Sequence, residues 1–453
     1  MNGKQSARPG AAPSPTDPTT ARTTPGRKAP HRKSPHRKTL RGTAAGAIAV
    51  LAAGTLAACG SDDGKTTLTV GLFGDFGFGP LYEEYEEAHP DIEFEERVSE
   101  FADHHTNLTA HLATGSGAAD IEAVEVSYIS QYAANPDRFT DLSELGAGDH
   151  EERWLDWKWN QALTADGDRV IGLGTDVGGM AMCYRSDLFE AAGLPTDRDE
   201  VSALWQDSWE DYVDVGERYL AASGDSHFFE SSGNMFRAMV DQAPTGVYAN
   251  DGTVTADDPA VAEAWDLTVR AIEAGMSNEL EAYTPEWNAS FAEGTFATII
   301  CPAWMTAYIE DNAPEAAGKW DIATVPGGSG NMGGSHLVVP EQSDNAQAAY
   351  EFIEWLTRPE QQLKIFEQTG NFPSTPELYD DEAFTSQTSA YFNDAPTGRI
   401  FTEAAEAVEP KYHGPLEGDI MTMIGQGLGR IEEGSQSPDE AWDQVLSDIA
   451  TLD

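Results

Sequence analysis

The amino-acid sequence predicts an α/β protein built around parallel sheet. Across residues 67–126 the periodicity runs strand, helix, strand, helix, strand, the signature of β-α-β units. Apolar stripes at helical spacing then recur to the C-terminus, and 40% hydrophobic residues suffice for real cores. No repeat or internal low-complexity linker interrupts this region, so any two lobes are interwoven rather than tethered. A length of 453 residues leaves room for two or three domains.

Each element has its own signal. Thr67-Leu-Thr-Val-Gly-Leu-Phe73 reads as a first strand, broken by Gly74-Asp-Phe-Gly77. Leu81, Tyr85 and Ala88 share a helical face, and Pro90 stops that helix. Ile92 and Phe94 alternate with acids as in a strand. Phe101, Leu108 and Leu112 line a second helix ending at Gly115, and Ile121-Glu-Ala-Val-Glu-Val126 is a third strand. Further strands are expected at 169–174, 179–185, 296–301, 321–326 and 335–340. Asp258-Pro259 caps a helix with Ala262, Trp265, Val269 and Ile272 inward and Gly275 at its end. Ala349, Phe352, Ile353 and Leu356 mark another, before Pro359. Ser437-Pro-Asp-Glu440 is a capping box for the last, with Trp442, Val445, Leu446, Ile449 and Leu452 on its buried side. Right-handed crossovers place the loops after the parallel strands on one edge, where open α/β sheets bind ligands.

The chain begins with an address. Residues 1–41 are rich in Pro, Thr, Ser, Arg and Lys and are expected to be disordered. An uncharged, Ala-rich stretch follows and ends in Leu56-Ala57-Ala58-Cys59, the layout of a secretory signal. The motif resembles the bacterial lipobox. That resemblance implies cleavage before Cys59 and a lipid on its thiol, with residues 59–65 as tether and 1–58 as signal peptide with a long basic leader. The absence of an Arg-Arg pair favours the Sec route. Residues 42–60 are long enough for a membrane anchor, but their Ala, Gly and Thr make a poor bilayer segment.

Residues 1–58 carry ten Lys/Arg and a single acid, Asp17, so the remainder has a formal charge of −59. Such a surface repels phosphate backbones and excludes nucleic-acid binding. It reads as a solvated acidic shell that keeps a monomer soluble, or as adaptation to salt. Besides Cys59, Cys183 and Cys301 lie in apolar strand-like runs, and a disulfide and two buried thiols both fit an exported chain.

Residues 66–453 resemble the extracellular solute-binding proteins of carbohydrate ABC importers, the group that includes maltose-binding protein. The similar stretches are Gly74-Asp-Phe-Gly-Phe-Gly-Pro-Leu81, His111-Leu-Ala-Thr-Gly-Ser-Gly-Ala-Ala-Asp-Ile121, Gly174 to Phe189 with Ala-Ala-Gly-Leu-Pro195, Ser290 to Thr298 with Pro302-Ala-Trp304, and Val325-Pro-Gly-Gly with Met332-Gly-Gly-Ser-His336. Their shared order carries the resemblance, since each motif alone is weak. It implies a type II periplasmic-binding-protein-like fold of two lobes joined by hinge strands. The first lobe is expected from 66–173 and 336–385, the second from 174–335 and 386–453, with the placement of 386–410 open. Gly178 departs from the pattern, because maltose-binding protein has an acid near that point of the hinge; Asp176 is the neighbouring candidate. Glu125-Val126, Gly172-Leu-Gly-Thr-Asp-Val177 and Cys301-Pro-Ala-Trp304 are similar to the cellobiose-binding lipoproteins of actinobacteria, which makes cello-oligosaccharide the first expectation for the ligand.

A sugar needs aromatic plates for its C–H faces and acids or amides for paired hydroxyls, since hydrogen bonds to a carboxylate are charge-assisted. The candidates are Asp75 and Phe76 after the first strand, Glu125 and Ser127 at the end of the third, and Asp176 at the hinge. Ser232, Asn234, Trp287, Trp304, Gly334, Ser335 and His336 complete the set. Each has a structural alternative: a turn cap for Asp75, a solvated strand end for Glu125, a hinge hydrogen bond for Asp176, core packing for Trp287 and Trp304. Trp154, Trp157, Trp159, Trp205 and Trp209 are expected to pack helices. The partners implied are an oligosaccharide, an ABC permease with its cytoplasmic ATPase, and the membrane through the lipid alone. No cofactor, metal or enzymatic activity is expected. Three readings stand against this one: a secreted glycoside hydrolase using two of the many acids, a metal-binding importer subunit using His104, His105 and His111, and a structural adhesion lipoprotein. For the histidines a wet helix is the simpler expectation.

Overall fold

The computed structural model describes residues 64–224, 226–249 and 251–452; the leader, Cys59 and most of the tether lie outside the described residues. In chain order the strands are β1 (Thr66–Leu72), β2 (Ile92–Val98), β3 (Ile121–Glu125), β4 (Gly172–Gly174), β5 (Asp176–Val177), β6 (Met180–Arg185), β7 (His227–Phe229), β8 (Phe296–Pro302), β9 (Trp320–Thr324), β10 (Ser335–Val338) and β11 (Phe372–Pro373). Five of them form one sheet in the order β2-β1-β3-β10-β4. β1 runs parallel to β2 and β3, while β10 is inserted antiparallel between β3 and β4. Four form a second sheet, β7-β8-β6-β9, and β5 pairs antiparallel with β11 in a separate two-stranded ribbon.

Local sequence explains these elements. Leu68, Val70 and Leu72 are buried along β1 while Thr67 is exposed, the period of a strand with one face covered. The Phe101–Thr114 helix stops at Gly115 in the left-handed conformation, φ 71°. Asp258 caps the Pro259–Glu273 helix through Ala260 N, and Ser437 and Glu440 complete both bonds of the capping box on Pro438–Ile449. The strand expected from 169 begins only at Gly172, because Val170 pairs with Leu163 in an isolated bridge instead.

The chain buries its apolar residues in separate clusters. Leu68, Val70, Ile121, Trp154, Leu337 and Phe352 pack around the first sheet. The second sheet is covered on both faces. Met180, Met182 and Tyr184 of β6 meet Trp205, Tyr212, Phe228 and Trp265 on one side. Ala181 and Cys183 meet Phe291, Trp320, Phe366, Phe372 and Phe401 on the other. That double coverage is why β6 and β8 read as unbroken apolar runs. Each such aliphatic or aromatic side chain contributes roughly 1.5–3 kcal/mol by leaving water. Trp154, Trp157, Trp159, Trp205 and Trp209 are all buried in these cores.

β6 and β8 are neighbours, and a disulfide joins Cys183 to Cys301 with Cα atoms 5.4 Å apart. The crossing region between the sheets is tight. A Cβ on Gly178 would stand 1.9 Å from the Met332 carbonyl oxygen, and Asn331 Oδ1 accepts from Gly178 N at 2.8 Å. No acid side chain fits at Gly178, which accounts for the departure noted in the sequence. Among the described residues no helix is long and apolar enough to cross a membrane.

Candidate functional site

The C-terminal ends of the parallel strands supply the site. β3 ends on Glu125, whose carboxylate accepts from Ser127 N at 2.8 Å and from Ser127 Oγ, capping the Val126–Ala133 helix. β7 runs into Glu230 and Ser231 and then the Ser232–Gln242 helix, and β8 runs into Trp304 on the Ala303–Asn312 helix. Arg237, with its side chain 31% exposed, stands on the Ser232–Gln242 helix. Burial works against its charge, yet Asp241, then Glu125 and Glu417, hold the guanidinium pKa above its ordinary value. Glu125 at the end of β3 is thus close enough to act electrostatically on a cation carried beyond β7, whose ion-pair partner is Asp241 at 3.5 Å.

Tyr283 belongs to the same crevice. Its ring is 52% exposed, with centroids 5.3 Å from Trp287 and 5.8 Å from Tyr308. The crowding is enough for desolvation, then the Glu125 charge, to push its phenol up to about 12. Its backbone sits at φ 64°, a left-handed conformation that costs a non-glycine residue of order 1 kcal/mol and clusters at functional sites. On the facing side Phe101, 36% exposed, lies 5.2 Å from Phe73 and 6.0 Å from Tyr128. Phe101 was expected on the inner stripe of its helix; it stands outside that stripe, beside the end of β1.

Behind Glu125 lies a buried polar cluster. Lys158 is fully buried, and its Nζ has no hydrogen-bond partner. Burial pulls its pKa down to about 8, opposed by the charges of Asp176 and Glu125. Asp176 Oδ1 accepts from Ser335 N at 2.9 Å and from Thr175 Oγ1 at 2.7 Å, and burial raises its pKa. His336 is fully buried beside them, with Nε2 3.2 Å from the Lys158 carbonyl and Nδ1 unpartnered; burial holds it neutral. Gly334 sits at φ 92°, where a Cβ would stand 2.6 Å from the Asp176 carbonyl oxygen.

The remaining candidates divide. Trp304 is half-buried, with Nε1 donating to the Met332 carbonyl at 3.2 Å. Ser232 is buried, and Asn234 Nδ2 donates to Glu230 Oε1 at 2.9 Å. Glu230 is itself buried, and desolvation raises its pKa to about 7. Asp75 is exposed and caps its own turn through Gly77 N, while Phe76 is buried against Phe73 and Phe78. Trp287 is 1% exposed, inside the core beneath Tyr283. The histidine helix is not wet at His104 and His105. Both are buried, His104 Nε2 lies 2.7 Å from the Ala123 carbonyl, and burial pushes His105 down to about 3. Among the described residues no group of three metal-ligating side chains converges.

Sequence reasoning missed Tyr283, Phe101, Arg237, Lys158 and Glu230 as site residues. Glu230 had a signal, an acid directly after a strand and before Ser-Ser-Gly. Tyr283 had none, because its exposure depends on a loop conformation that no local pattern marks.

Comparisons with known proteins bear on this arrangement. The sequence model for "bacterial extracellular solute-binding protein" matches residues 81–392. A solved structure described as an extracellular solute-binding protein family 1 member is 44% identical, with a TM-score of 0.77 over 84% of this chain and 98% of that one. The chain belongs to the bacterial extracellular solute-binding proteins. An arabinooligosaccharide-binding protein of Bacillus subtilis (strain 168) is 24% identical over 85% of this chain and 92% of its own length. One of the same description from Halalkalibacterium halodurans is 26% identical over 63% of this chain and 65% of its own. A binding protein of B. animalis subsp. lactis Bl-04, solved with β-1,6-galactobiose, has a TM-score of 0.74 over 85% of this chain and 97% of that one. At 24% identity it bears on the fold alone: the type II periplasmic binding fold of this family.

Proposed function

We propose that this family member is the ligand-capturing subunit of an ABC importer, and that it binds a neutral oligosaccharide in the crevice between the two sheets. The observation that carries the reading is the gathering at the strand ends of the Glu125 carboxylate, held by Ser127, and the partly exposed Arg237 guanidinium, with exposed aromatic rings, Tyr283 and Phe101. Paired charges suit the vicinal hydroxyls of a sugar, and open rings suit its C–H faces. Glu125, Ser127, Arg237, Tyr283 and Trp304 are the contacts we assign. Asp75, Asp176, Trp287 and His336 shape the site from behind. Relatives named for arabino- and malto-oligosaccharides support the substrate class. Cello-oligosaccharide remains the first to test, on the motif resemblance given above.

Ligand touching both sheets favours the closed arrangement, so binding shifts the population toward closure about the β4–β5–β10 crossings. The closed monomer then docks on a permease, with a lipid on Cys59 holding it at the outer face of the membrane. We assign one lobe to each sheet, divided as the sequence expects except that Phe366, Phe372, Tyr379 and Phe384, expected in the first lobe, pack in the core of the second. No bond of the sugar is broken.

A thermal-shift screen with cello-, arabino-, malto- and galacto-oligosaccharides tests the reading. One class is expected to raise the melting temperature with increasing concentration, as ligand bound only by the native state must. Cleavage of a labelled oligosaccharide, or no shift with any of them, would overturn it. Labelling with radioactive palmitate, lost in Cys59→Ala, tests the anchor.

A further inference from the structure

The strand that carries Glu125 loses a neighbour before it ends. β1 pairs with β3 at Val70–Ile121 and Gly71–Glu122 and stops at Leu72, after which the chain turns away through Gly74 at φ 98°. Alternate residues of a strand bond along the same edge, so the Ala123 carbonyl and the Glu125 N–H face one side of β3. In a parallel ladder, one residue of a continued β1 would donate to the first and accept from the second. Two adjacent side chains of the Phe101–Thr114 helix take over those bonds. His104 Nε2 lies 2.7 Å from the Ala123 oxygen, and His105 Nε2 lies 3.2 Å from Glu125 N.

The partners settle where each proton sits. A carbonyl only accepts, so His104 Nε2 carries hydrogen. The Glu125 N–H only donates, so His105 Nε2 is bare and its proton lies on Nδ1, 2.9 Å from the Phe101 carbonyl. Two neighbouring imidazoles thus hold opposite tautomers. Both rings are buried, and desolvation keeps both neutral. The His105 ring also stacks on Tyr128, with centroids 4.0 Å apart and planes 13° apart, and lies 4.8 Å from the Phe101 ring. One side chain therefore holds the backbone of Glu125 and backs the exposed ring beside it.

We propose that His105 is a positioning residue of the binding crevice: its bare Nε2 stands in for the carbonyl of the absent strand and fixes the end of β3 from which Glu125 reaches the sugar. The inference rests on the oligosaccharide reading above. Ser127 holds the Glu125 carboxylate from ahead, and His105 holds its peptide from behind. β1 can then leave the sheet at Leu72 without freeing the strand end. At 1% exposure His105 does not touch the sugar itself. A charged imidazole would set N–H against N–H, and phenylalanine would leave the Glu125 N–H unpaired. Glutamine places an amide oxygen where Nε2 was.

The test uses the full chain, labelled with 15N, and three probes: cellotetraose, arabinotetraose and maltotetraose. Without any probe, a 15N–15N coupling across the hydrogen bond is expected between the Glu125 amide and His105 Nε2. Calorimetry then follows whichever probe binds the native chain. His105→Phe, which keeps the stack and loses the acceptor, is expected to bind it about tenfold more weakly. His105→Gln should restore affinity to within about threefold of the native chain. Leu108→Ala, buried three residues further along the same helix, should lower the melting temperature and leave affinity within about twofold. A missing coupling, native affinity in His105→Phe, His105→Gln as weak as His105→Phe, or an equal loss in Leu108→Ala would each overturn the proposal. The coupling is read on the native chain, so it decides the matter even where His105→Phe fails to fold. If none of the three probes binds the native chain, the oligosaccharide reading fails, while the coupling still reports whether His105 holds Glu125.

Discussion

The two sheets meet at one crevice but are held together differently. Around the first, charge and hydrogen bonding fix the geometry: Lys158 lies buried among Asp176, Glu125 and His336, and Asp176 ties Thr175 to Ser335. Around the second, a disulfide pins β6 to β8, and apolar cores cover both faces. The first sheet can therefore be loosened by changing a charge, and the second by changing a thiol. The polar cluster sits at the crossings where the sheets must move relative to each other, while the covalent bond sits inside a unit that moves as a block. A buried ion cluster has geometry that a small displacement unbalances, which suits a hinge; a cross-link suits a rigid body.

The largest expected effect comes from breaking the cluster. Lys158→Ala leaves a void where a fully buried side chain stood, and such truncations cost about 2–5 kcal/mol. Urea unfolding would measure it. Lys158→Met, which fills the volume without the charge, should lose much less, since burial disfavours both charges, pulling the Lys158 pKa down and pushing that of Asp176 up; Lys158→Met combined with Asp176→Asn should lose least. Equal stability of all three variants would show that the cluster is not what holds the first sheet.

Next is the cross-link. Cys183 and Cys301 are 118 residues apart in sequence. By loop entropy, serine at both positions should cost about 2–4 kcal/mol. The comparison sharpens if ligand affinity is followed as well. The thiol pair should change stability and leave affinity within about twofold, whereas Lys158 variants should change both.

How much of this was legible beforehand depended on the range of the forces involved. The strands, caps and stripes follow from patterns within ten or fifteen residues, and β6, β8 and the Ser437 capping box were readable for that reason. Glu125 was readable as a strand-end acid. Lys158 was not, because nothing within its Trp-Lys-Trp surroundings distinguishes an ammonium lying on the surface from one folded under Gly174. Trp287 and Tyr283 exchange the roles that composition suggests. The larger ring is buried and the smaller exposed, a consequence of the loop before Thr284, which turns through Tyr283 at positive φ. Asp176 was a candidate at the right place with its function left open; two long-range bonds to Ser335 and Thr175 decide how its carboxylate is used.

Tyr283→Ala tests the aromatic side of the crevice. Because the ring is half exposed, stability should change by less than about 0.5 kcal/mol. Oligosaccharide binding should weaken by about 5- to 30-fold, on the scale of a lost interface aromatic, with Phe101→Ala giving less. Calorimetry on each variant reads this directly. If Phe101→Ala weakened binding more than Tyr283→Ala, the first sheet would carry the stacking face and the division drawn above would reverse.

The smallest effect is a pH dependence that also separates the two regions. Glu230 beyond β7 and Glu122 on β3 both have carboxyl pKa values raised from 4.5 to about 7, chiefly by burial. In each case the folded state keeps its proton where the unfolded state has lost it. Such a group stabilises fully below about pH 4.5, and its contribution disappears as pH rises through about 7. On the first sheet this slope is opposed. His104 Nε2 lies 3.7 Å from Glu122, and burial lowers the pKa of both His104 and His105 from 6.5, so their contribution is present above 6.5 and fades as pH falls. Among the described residues no histidine is bonded to Glu230; its carboxylate takes Asn234 Nδ2. Glu230→Gln keeps that acceptor and removes the titration. Its unfolding free energy, read from urea titrations, should gain on that of the native protein by on the order of 1 kcal/mol between pH 5 and pH 7.5. Glu122→Gln should show the same sign on a profile whose histidine slope is then unmasked. Parallel profiles for Glu230→Gln and the native chain would mean that Glu230 is already ionised at pH 5, stabilised by a donor such as a sugar hydroxyl rather than buried dry.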